Sequence, residues 1–355
     1  MPGRAPLSPA RLEPIFSPRP WGARNLAPLF PDKSNLAEPL GEAWLTGDEC
    51  RFASGPYSGT TLGEAWPTMS AEWTGTHLDS KAATFPLLVK FLFSREKLSV
   101  QVHPDDAYAS AHEKAAGGRG KTEMWYVIHA EPSAEVLVGL KPEVTKESFR
   151  RAIGDASVED SLHHVPLLDG EAIFVPAGTV HTLGVGFVLC EIQQSSDLTY
   201  RVYDYGRRDA AGKPRELHLD KAFDVTRFGP QLGGKIAPAS IDNHGTRKTF
   251  LAACPYFATE RWQFAAPIAS QSSPEHFELW IVIEGSGSLR WSGESEDFAP
   301  AQVWMIPAGL GRFELAPKSS TTILRTFVPS SPAAVAADWT RQGITKSDAA
   351  RLVFP

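Results

Sequence analysis

The chain repeats itself, and the repeat limits the folds open to it. Glu123-Met124-Trp125-x-Val127-Ile128 returns as Glu278-Leu279-Trp280-x-Val282-Ile283. In the same way Gly170-x5-Pro176-Ala177-Gly178-x2-His181 returns as Ala301-x5-Pro307-Ala308-Gly309-x2-Arg312. The first element of each copy reads as a strand, an apolar run rich in aromatic and β-branched residues. The second is a strand, a Pro-x-Gly turn and a residue set just past the turn. An internal repeat marks a repeated structural unit, so the chain is built from two β units of one design. Its 29 glycines and 29 prolines suit many short strands joined by tight turns.

The rest of the chain reads as follows. Residues 1–40 are Pro-rich and without period, an irregular arm wrapped on the body. The tetrapeptide beginning at Gly41 opens the first strand, and Phe85 to Phe93 is an apolar strand interrupted only by Lys90. A buried lysine is costly unless paired, so Lys90 either snorkels to the surface or serves a site. Asp105 to Lys114 suits a short helix, and 143–165 suits one or two more, Glu143 to Arg151 and Ser157 to His164. Phe187 to Ile192 is another strand, and a last helix lies around Ser331 to Trp339. The polar, Gly- and Pro-rich stretch 206–248 marks a boundary. It divides the chain into a domain at 1–240, with a helical insert at about 105–165, and a second at 241–355.

Charge and cysteine usage narrow the function classes. A formal net charge of -6 argues against a nucleic-acid partner. An anionic ligand would need locally gathered positive charge. Cys50, Cys190 and Cys254 are odd in number and far apart, which fits a reducing compartment and no disulfide framework. The start has no apolar signal region and no run approaches 18 apolar residues, so a cytoplasmic protein without a membrane partner is expected. Oligomeric state has no sequence signature here.

Leu98-Ser99-Val100-Gln101-Val102-His103-Pro104 alternates, with Ser99, Gln101 and His103 on one face. Alone, it reads as the polar outer face of an edge strand. Beside Glu123 and His181 it becomes half of a ligand set: two imidazoles, a carboxylate and an amide oxygen. That set suits one Zn²⁺ with an open position, and its ligand types also admit Mn²⁺, Fe²⁺ or Co²⁺. The second copy has Arg312 where the first has His181, only His276 near Glu278, and no Gln-x-His some twenty residues upstream. Chemistry therefore belongs to the first copy.

The strand, Pro-x-Gly turn and following residue resemble the cupin motif, which implies a mainly β fold of two jelly-roll β-barrels with a small helical excursion in the first. Longer blocks carry a closer resemblance. PLLVKFLFSREKLSVQVHPDD, GKTEMWYVI, VPAGTVHTL, QQSSDLTYRVYDYGR and GKPRELHLDKA resemble successive blocks of the type I mannose-6-phosphate isomerases, compact bacterial branch, over about residues 15 to 225. The resemblance implies that Gln101, His103, Glu123 and His181 bind zinc. It implies an essential arginine at Arg201, an aspartate at Asp197, a lysine at Lys121, and Lys90 and Ser99 near a sugar phosphate.

The implied reaction interconverts mannose 6-phosphate and fructose 6-phosphate through a cis-enediol whose oxygens carry developing negative charge. A divalent ion and a fixed arginine suit that charge. Lys90, Lys121, Arg201 and Arg207 would supply the positive potential for a sugar phosphate. Arg201 has a structural alternative, pairing with Asp204. The proton-transfer group is left open among Asp197, Lys121, Glu123 and metal-bound water. One departure stands out: about forty-five residues separate Ile128 from Ile173, where larger members carry an inserted helical domain. Two rival readings are an Fe²⁺-dependent cupin oxygenase, which would favour a third histidine and an apolar pocket, and a non-enzymatic sugar-phosphate-binding regulator.

Overall fold

Strands dominate the computed structural model, which describes residues 7–78, 84–208 and 212–355. The first six residues of the arm and residues 209–211 of the polar stretch lie outside the described residues. In chain order the strands are β1 (Ala10–Leu12), β2 (Ile15–Ala23), β3 (Leu40–Trp44), β4 (Leu87–Ser94), β5 (Val100–Val102), β6 (Glu123–Ala130), β7 (Glu135–Leu140), β8 (Leu162–Pro166), β9 (Ala172–Val175), β10 (His181–Leu183), β11 (Phe187–Gln194), β12 (Tyr200–Tyr203) and β13 (Gly234–Lys235). They continue as β14 (Ala239–Asn243), β15 (Thr246–Ala253), β16 (Ala258–Phe264), β17 (Ile268–Gln271), β18 (Glu278–Glu284), β19 (Gly287–Trp291), β20 (Glu294–Phe298), β21 (Val303–Ile306), β22 (Arg312–Pro317) and β23 (Thr321–Phe327). The helices are α1 (Leu62–Ala65), α2 (Ala71–Thr74), α3 (Asp106–His112), α4 (Lys146–Gly154), α5 (Leu219–Val225), α6 (Pro332–Gln342) and α7 (Lys346–Arg351).

Four antiparallel sheets form two facing pairs. The first pair is β13-β9-β6-β11-β4-β3-β2 against β12-β5-β10-β7-β8; the second is β1-β21-β18-β23-β16-β15-β14 against β17-β22-β19-β20. Strand alternation sorts the residues. On β6, Trp125 and Val127 join Leu92, Val136 and Leu183 in the core between the first two sheets. Met124 and Tyr126 turn the other way, into the core shared by the two seven-stranded sheets with Phe91, Leu279 and Met305. A strand buried on both faces reads as a continuous apolar run, which is why β4 is buried along its whole length. Trp262, Trp280, Trp304 and Phe313 fill the second pair of sheets. The mainly β, cupin-type expectation agrees with this arrangement.

Three details depart from the expectation. The arm is not irregular: β2 pairs with β3, and β1 crosses to the far sheet, where Ala10–Leu12 pairs with β21. Its register there, Ala10 opposite Met305, buries Ala10 and Leu12. Second, the helix expected from Ser157 to His164 is one 3-10 turn over Val158–Ser161 followed by β8. Pairing with the edge of β7 outweighs weak local propensity there. Third, the span 105–165 holds α3 and α4 but also β6, β7 and most of β8, so its helices are short links between strands. Capping is in place on both: Asp105 accepts from Tyr108 N at 2.8 Å, and Thr145 and Ser148 form a reciprocal box.

Candidate active site

Three strands of the first half deliver the expected ligand residues to one point. Gln101 lies opposite His181 in the β5–β10 ladder and opposite Arg201 in the β5–β12 ladder. Glu123 opens β6, opposite Val175 and Gln193. The turn before His181 depends on Gly178, whose φ is +84° and where a Cβ would lie 2.9 Å from Val225 O. Gly178 N also donates to His103 O at 2.8 Å, which locks the turn to the strand end.

His103, Glu123 and His181 bring one ligand atom each to within 4.8 Å of one another, and all three are buried. His181 Nε2 is 3.3 Å from Glu123 Oε1, and His103 Nε2 is 3.7 Å from Glu123 Oε2. Each imidazole is aimed by its other nitrogen: His103 Nδ1 to Leu198 O at 2.7 Å, His181 Nδ1 to Thr179 O at 2.9 Å. Such bonds set the tautomer that presents Nε2 as a ligand. Gln101 Nε2 lies 3.3 Å from His181 Nε2; turning the amide over presents its oxygen to the same point. His103 Nε2 and Glu123 Oε1 are buried without a hydrogen-bond partner. Orphaned acceptors facing one another are costly, and a divalent cation satisfies them together. Burial, with Lys121 nearby, holds His103 well below the usual imidazole range and lowers His181 to about 4. Both rings are thus neutral at pH 7, as ligation requires.

Beside this cluster is a cavity of about 440 Å³. Ser99, Lys90, Lys121, Asp197 and Arg201, all singled out from the sequence, line it. Lys90 is buried, not snorkelling: its Nζ sits 3.1 Å from Asp197 and 3.9 Å from Glu191, and 4.5 Å above the Trp44 ring. Lys121 Nζ is 3.0 Å from Glu123 and 3.9 Å from Glu191. Burial opposes its charge, but Glu123, Glu191 and Asp197 outweigh that and raise its pKa. For Asp197 burial is likewise overcome, by Lys90 and Lys121, and the carboxyl is held low.

Arg201 does not pair with Asp204. Its Nη1 donates to Glu216 O at 2.8 Å, its backbone N–H to His218 Nδ1 at 3.2 Å, and its Nε is buried without a partner. Asp204 is engaged by Arg207 Nη2 at 3.0 Å and by Arg215, whose Nε donates at 2.7 Å. Arg207 does not line the cavity; Arg215 and Arg19 do. The expectation for Arg207 is corrected on placement: it lies behind the wall, near Asp204, with Nη1 and Nη2 buried and without a hydrogen bond, while Arg215, eight positions on, holds Asp204 and also lines the cavity.

Glu191 was missed, although a signal existed. It is a lone carboxylate in the apolar run of β11, the same anomaly that drew notice to Lys90 on β4, and the two lie opposite each other. Burial, reinforced by Glu123, pushes its carboxyl up to about 7 against the opposing pull of Lys121. Trp125 Nε1 donates to it at 3.1 Å. Arg19 and Arg215 sit in sequence contexts that carry no such signal.

Known proteins share this chain's design. Residues 10–119 match the family described as phosphomannose isomerase type I, catalytic domain, and residues 246–327 match mannose-6-phosphate isomerase, cupin domain. A mannose-6-phosphate isomerase of Bacillus subtilis (strain 168) is 35% identical over 313 residues, 86% of this chain and 95% of that protein. One from Streptococcus mutans is 36% identical over 273 residues, 76% and 83% respectively. The crystal structure of a mannose 6-phosphate isomerase from Bacillus subtilis aligns with a TM-score of 0.81 at 32% identity, covering 90% of this chain and 99% of that one.

Proposed function

The chain belongs to the type I phosphomannose isomerases, and from that membership we propose that it interconverts mannose 6-phosphate and fructose 6-phosphate. The observation that carries the reading is the buried His103–Glu123–His181 cluster, with its orphaned ligand atoms, opening beside a cavity walled by Lys121 and Arg201.

Gln101, His103, Glu123 and His181 are the residues that would hold the ion, Zn²⁺ in our reading. When bound, such an ion supplies Lewis-acid stabilisation to oxygens that gain negative charge. The chain's own groups do the rest. Arg201, with an unpaired Nε, is a fixed cation for the developing enediolate. Glu191 has a pKa near neutrality in a buried wall, which suits the group that moves a proton between C1 and C2. Lys121 and Asp197 sit next to it, Lys121 holding a charge on the same side. Arg215 and Arg19, farther along the wall, take the phosphate end, where binding energy remote from the reacting carbons orients the sugar. Lys90, 3.9 Å from Glu191, and Ser99, 3.3 Å from Gln101, line the reacting end. The catalytic work falls to residues 1–240.

Three free, buried cysteines support a reducing, cytoplasmic setting. Among the described residues, no helix is long and apolar enough to cross a membrane. Neither rival reading gains an observation: the ligand cluster holds two histidines, not three, and the cavity is polar and charged. The test is an anaerobic coupled assay for fructose 6-phosphate, before and after chelation. Turnover that is lost on chelation and restored by zinc is expected; no turnover, or turnover indifferent to metal, overturns the proposal.

A further inference from the structure

The second half has a cavity of its own, about 690 Å³ in volume, in the position that corresponds to the active site. The two seven-stranded sheets align end to end, so β15, β16 and β23 stand where β3, β4 and β11 stand in the first half. Register fixes the residue pairs. Arg325 faces Trp280 and Glu260, as Glu191 faces Trp125 and Lys90. Gln271 faces Arg312, as Gln101 faces His181. The charge pattern is therefore inverted: Glu260 holds the place of Lys90, and Arg325 that of Glu191.

The inversion removes one kind of ligand and leaves room for another. Glu278, the counterpart of Glu123, is already saturated, accepting from Arg325 Nη2 and Trp280 Nε1, each at 2.6 Å. A cation has no carboxylate to bind there. The wall itself presents Lys248, Arg325 and Arg341 against a single carboxylate, Asp338. Asp338 is engaged by Arg341 at 3.0 Å and Gln342 at 2.8 Å, and Arg325 by Glu278 and Glu260. Lys248 alone is left over. Its Nζ lies 3.7 Å over the Trp262 ring and 3.5 Å from Gln342 Oε1. Among the described residues it has no carboxylate within 4.0 Å. Burial, with Arg325 nearby, lowers its pKa against the opposing pull of Glu260, Glu278 and Asp338.

We propose that this second cavity is a metal-free binding site for a small oxyanion, anchored by Lys248, with inorganic phosphate as its probe. Arg325 is flanked by Glu278 and Glu260 and Arg341 by Asp338, so what the wall offers an oxyanion is the ammonium of Lys248, the cation with no carboxylate within 4.0 Å among the described residues. The site is separate from the isomerase reaction and does not depend on it.

Calorimetric titration of the full chain with inorganic phosphate tests this in wild type, Lys248→Met and Gln342→Glu. The first variant removes the cation; the second puts a carboxylate against it and leaves the lysine in place. Each is expected to lose one phosphate-binding event, or weaken it at least tenfold, with unchanged isomerase kcat/KM. The thermal midpoint is expected to hold in Lys248→Met and to fall somewhat in Gln342→Glu, which also gives up the amide donor to Asp338. Equal binding in all three proteins overturns the proposal. So does binding lost in Lys248→Met but kept in Gln342→Glu, which would trace the loss to packing and not to charge. Should isomerase turnover be absent throughout, the reading of the first site falls while this titration still decides the second.

Discussion

Arg325 Nη2 sits 2.6 Å from Glu278 Oε1, so the second half supplies from its own chain a positive charge that the equivalent Glu123 does not receive from an arginine. Glu260 Oε2 lies 3.3 Å from Arg325 Nη1 on the other side, making a buried triad. Removing the middle charge leaves two buried carboxylates facing each other. Arg325→Leu is expected to cost about 3–5 kcal/mol in urea denaturation. Adding Glu278→Gln and Glu260→Gln should recover much of that loss. An unchanged midpoint for Arg325→Leu would show that the triad is not desolvated.

Ligands and reacting groups should separate experimentally. His181→Ala removes a buried imidazole aimed at Glu123, and is expected to lose bound metal and activity together. Arg201→Ala is expected to keep the metal and to lower kcat by about 10²–10³, the usual effect of deleting one donor to a developing oxyanion. Elemental analysis beside the coupled assay checks both. A full metal complement in His181→Ala would refute the ligand assignment.

Glu191 gives the activity a pH signature. Its carboxyl titrates at about 7, so kcat/KM should rise with pH through that value as the base form appears. Glu191→Gln should abolish that limb and slow turnover by about 10²–10⁴. Stability runs the opposite way. The unfolded carboxyl releases its proton near 4.5 and the folded one near 7, so the folded state holds the extra proton between those values. Folding stability contributed by this group is then present at low pH and lost as pH rises through about 7. A wild-type pH profile without an inflection near 7 would remove Glu191 from the mechanism.

One hydrogen-bond chain runs from the second half to the lysine loop of the first. Tyr256 Oη donates to Asp106 Oδ2 at 2.8 Å, and Asp106 Oδ1 accepts from Gly120 N at 2.7 Å and Gln194 Nε2 at 3.0 Å. Gln194 Oε1 in turn accepts from Thr122 N at 2.8 Å, so the two residues flanking Lys121 are both held. Asp106→Asn, which turns an acceptor into a donor on one side, should lower kcat several-fold with KM and metal content little changed. Tyr256→Phe should do the same more weakly. An effect on thermal midpoint alone would make the chain a structural tie with no bearing on Lys121.

Much of this protein can be read from its sequence, because the signals are local or repeated. The repeated Glu-x-Trp and Pro-Ala-Gly segments announce two β units. Alternation along Leu98 to Pro104 puts Ser99, Gln101 and His103 on one face. A charge inside an apolar strand, as at Lys90, marks a group that must be paired or used. Those are the features that strand period, turn chemistry and desolvation cost dictate without knowledge of neighbours.

What the tertiary structure decided depends on which strands lie side by side. Only pairing shows that β1 belongs to the far sheet, that Asp204 takes Arg207 and Arg215 and leaves Arg201 to the cavity, and that Glu191 stands opposite Lys90. The counterpart of Gln101 was hidden for the same reason. Gln101 precedes Glu123 by 22 residues, whereas Gln271 precedes Glu278 by seven, since the second copy has no helix between them. Sequence spacing changes freely with loop length. Register across a ladder does not, because each backbone hydrogen bond holds it and a one-residue slip would turn every side chain to the wrong face.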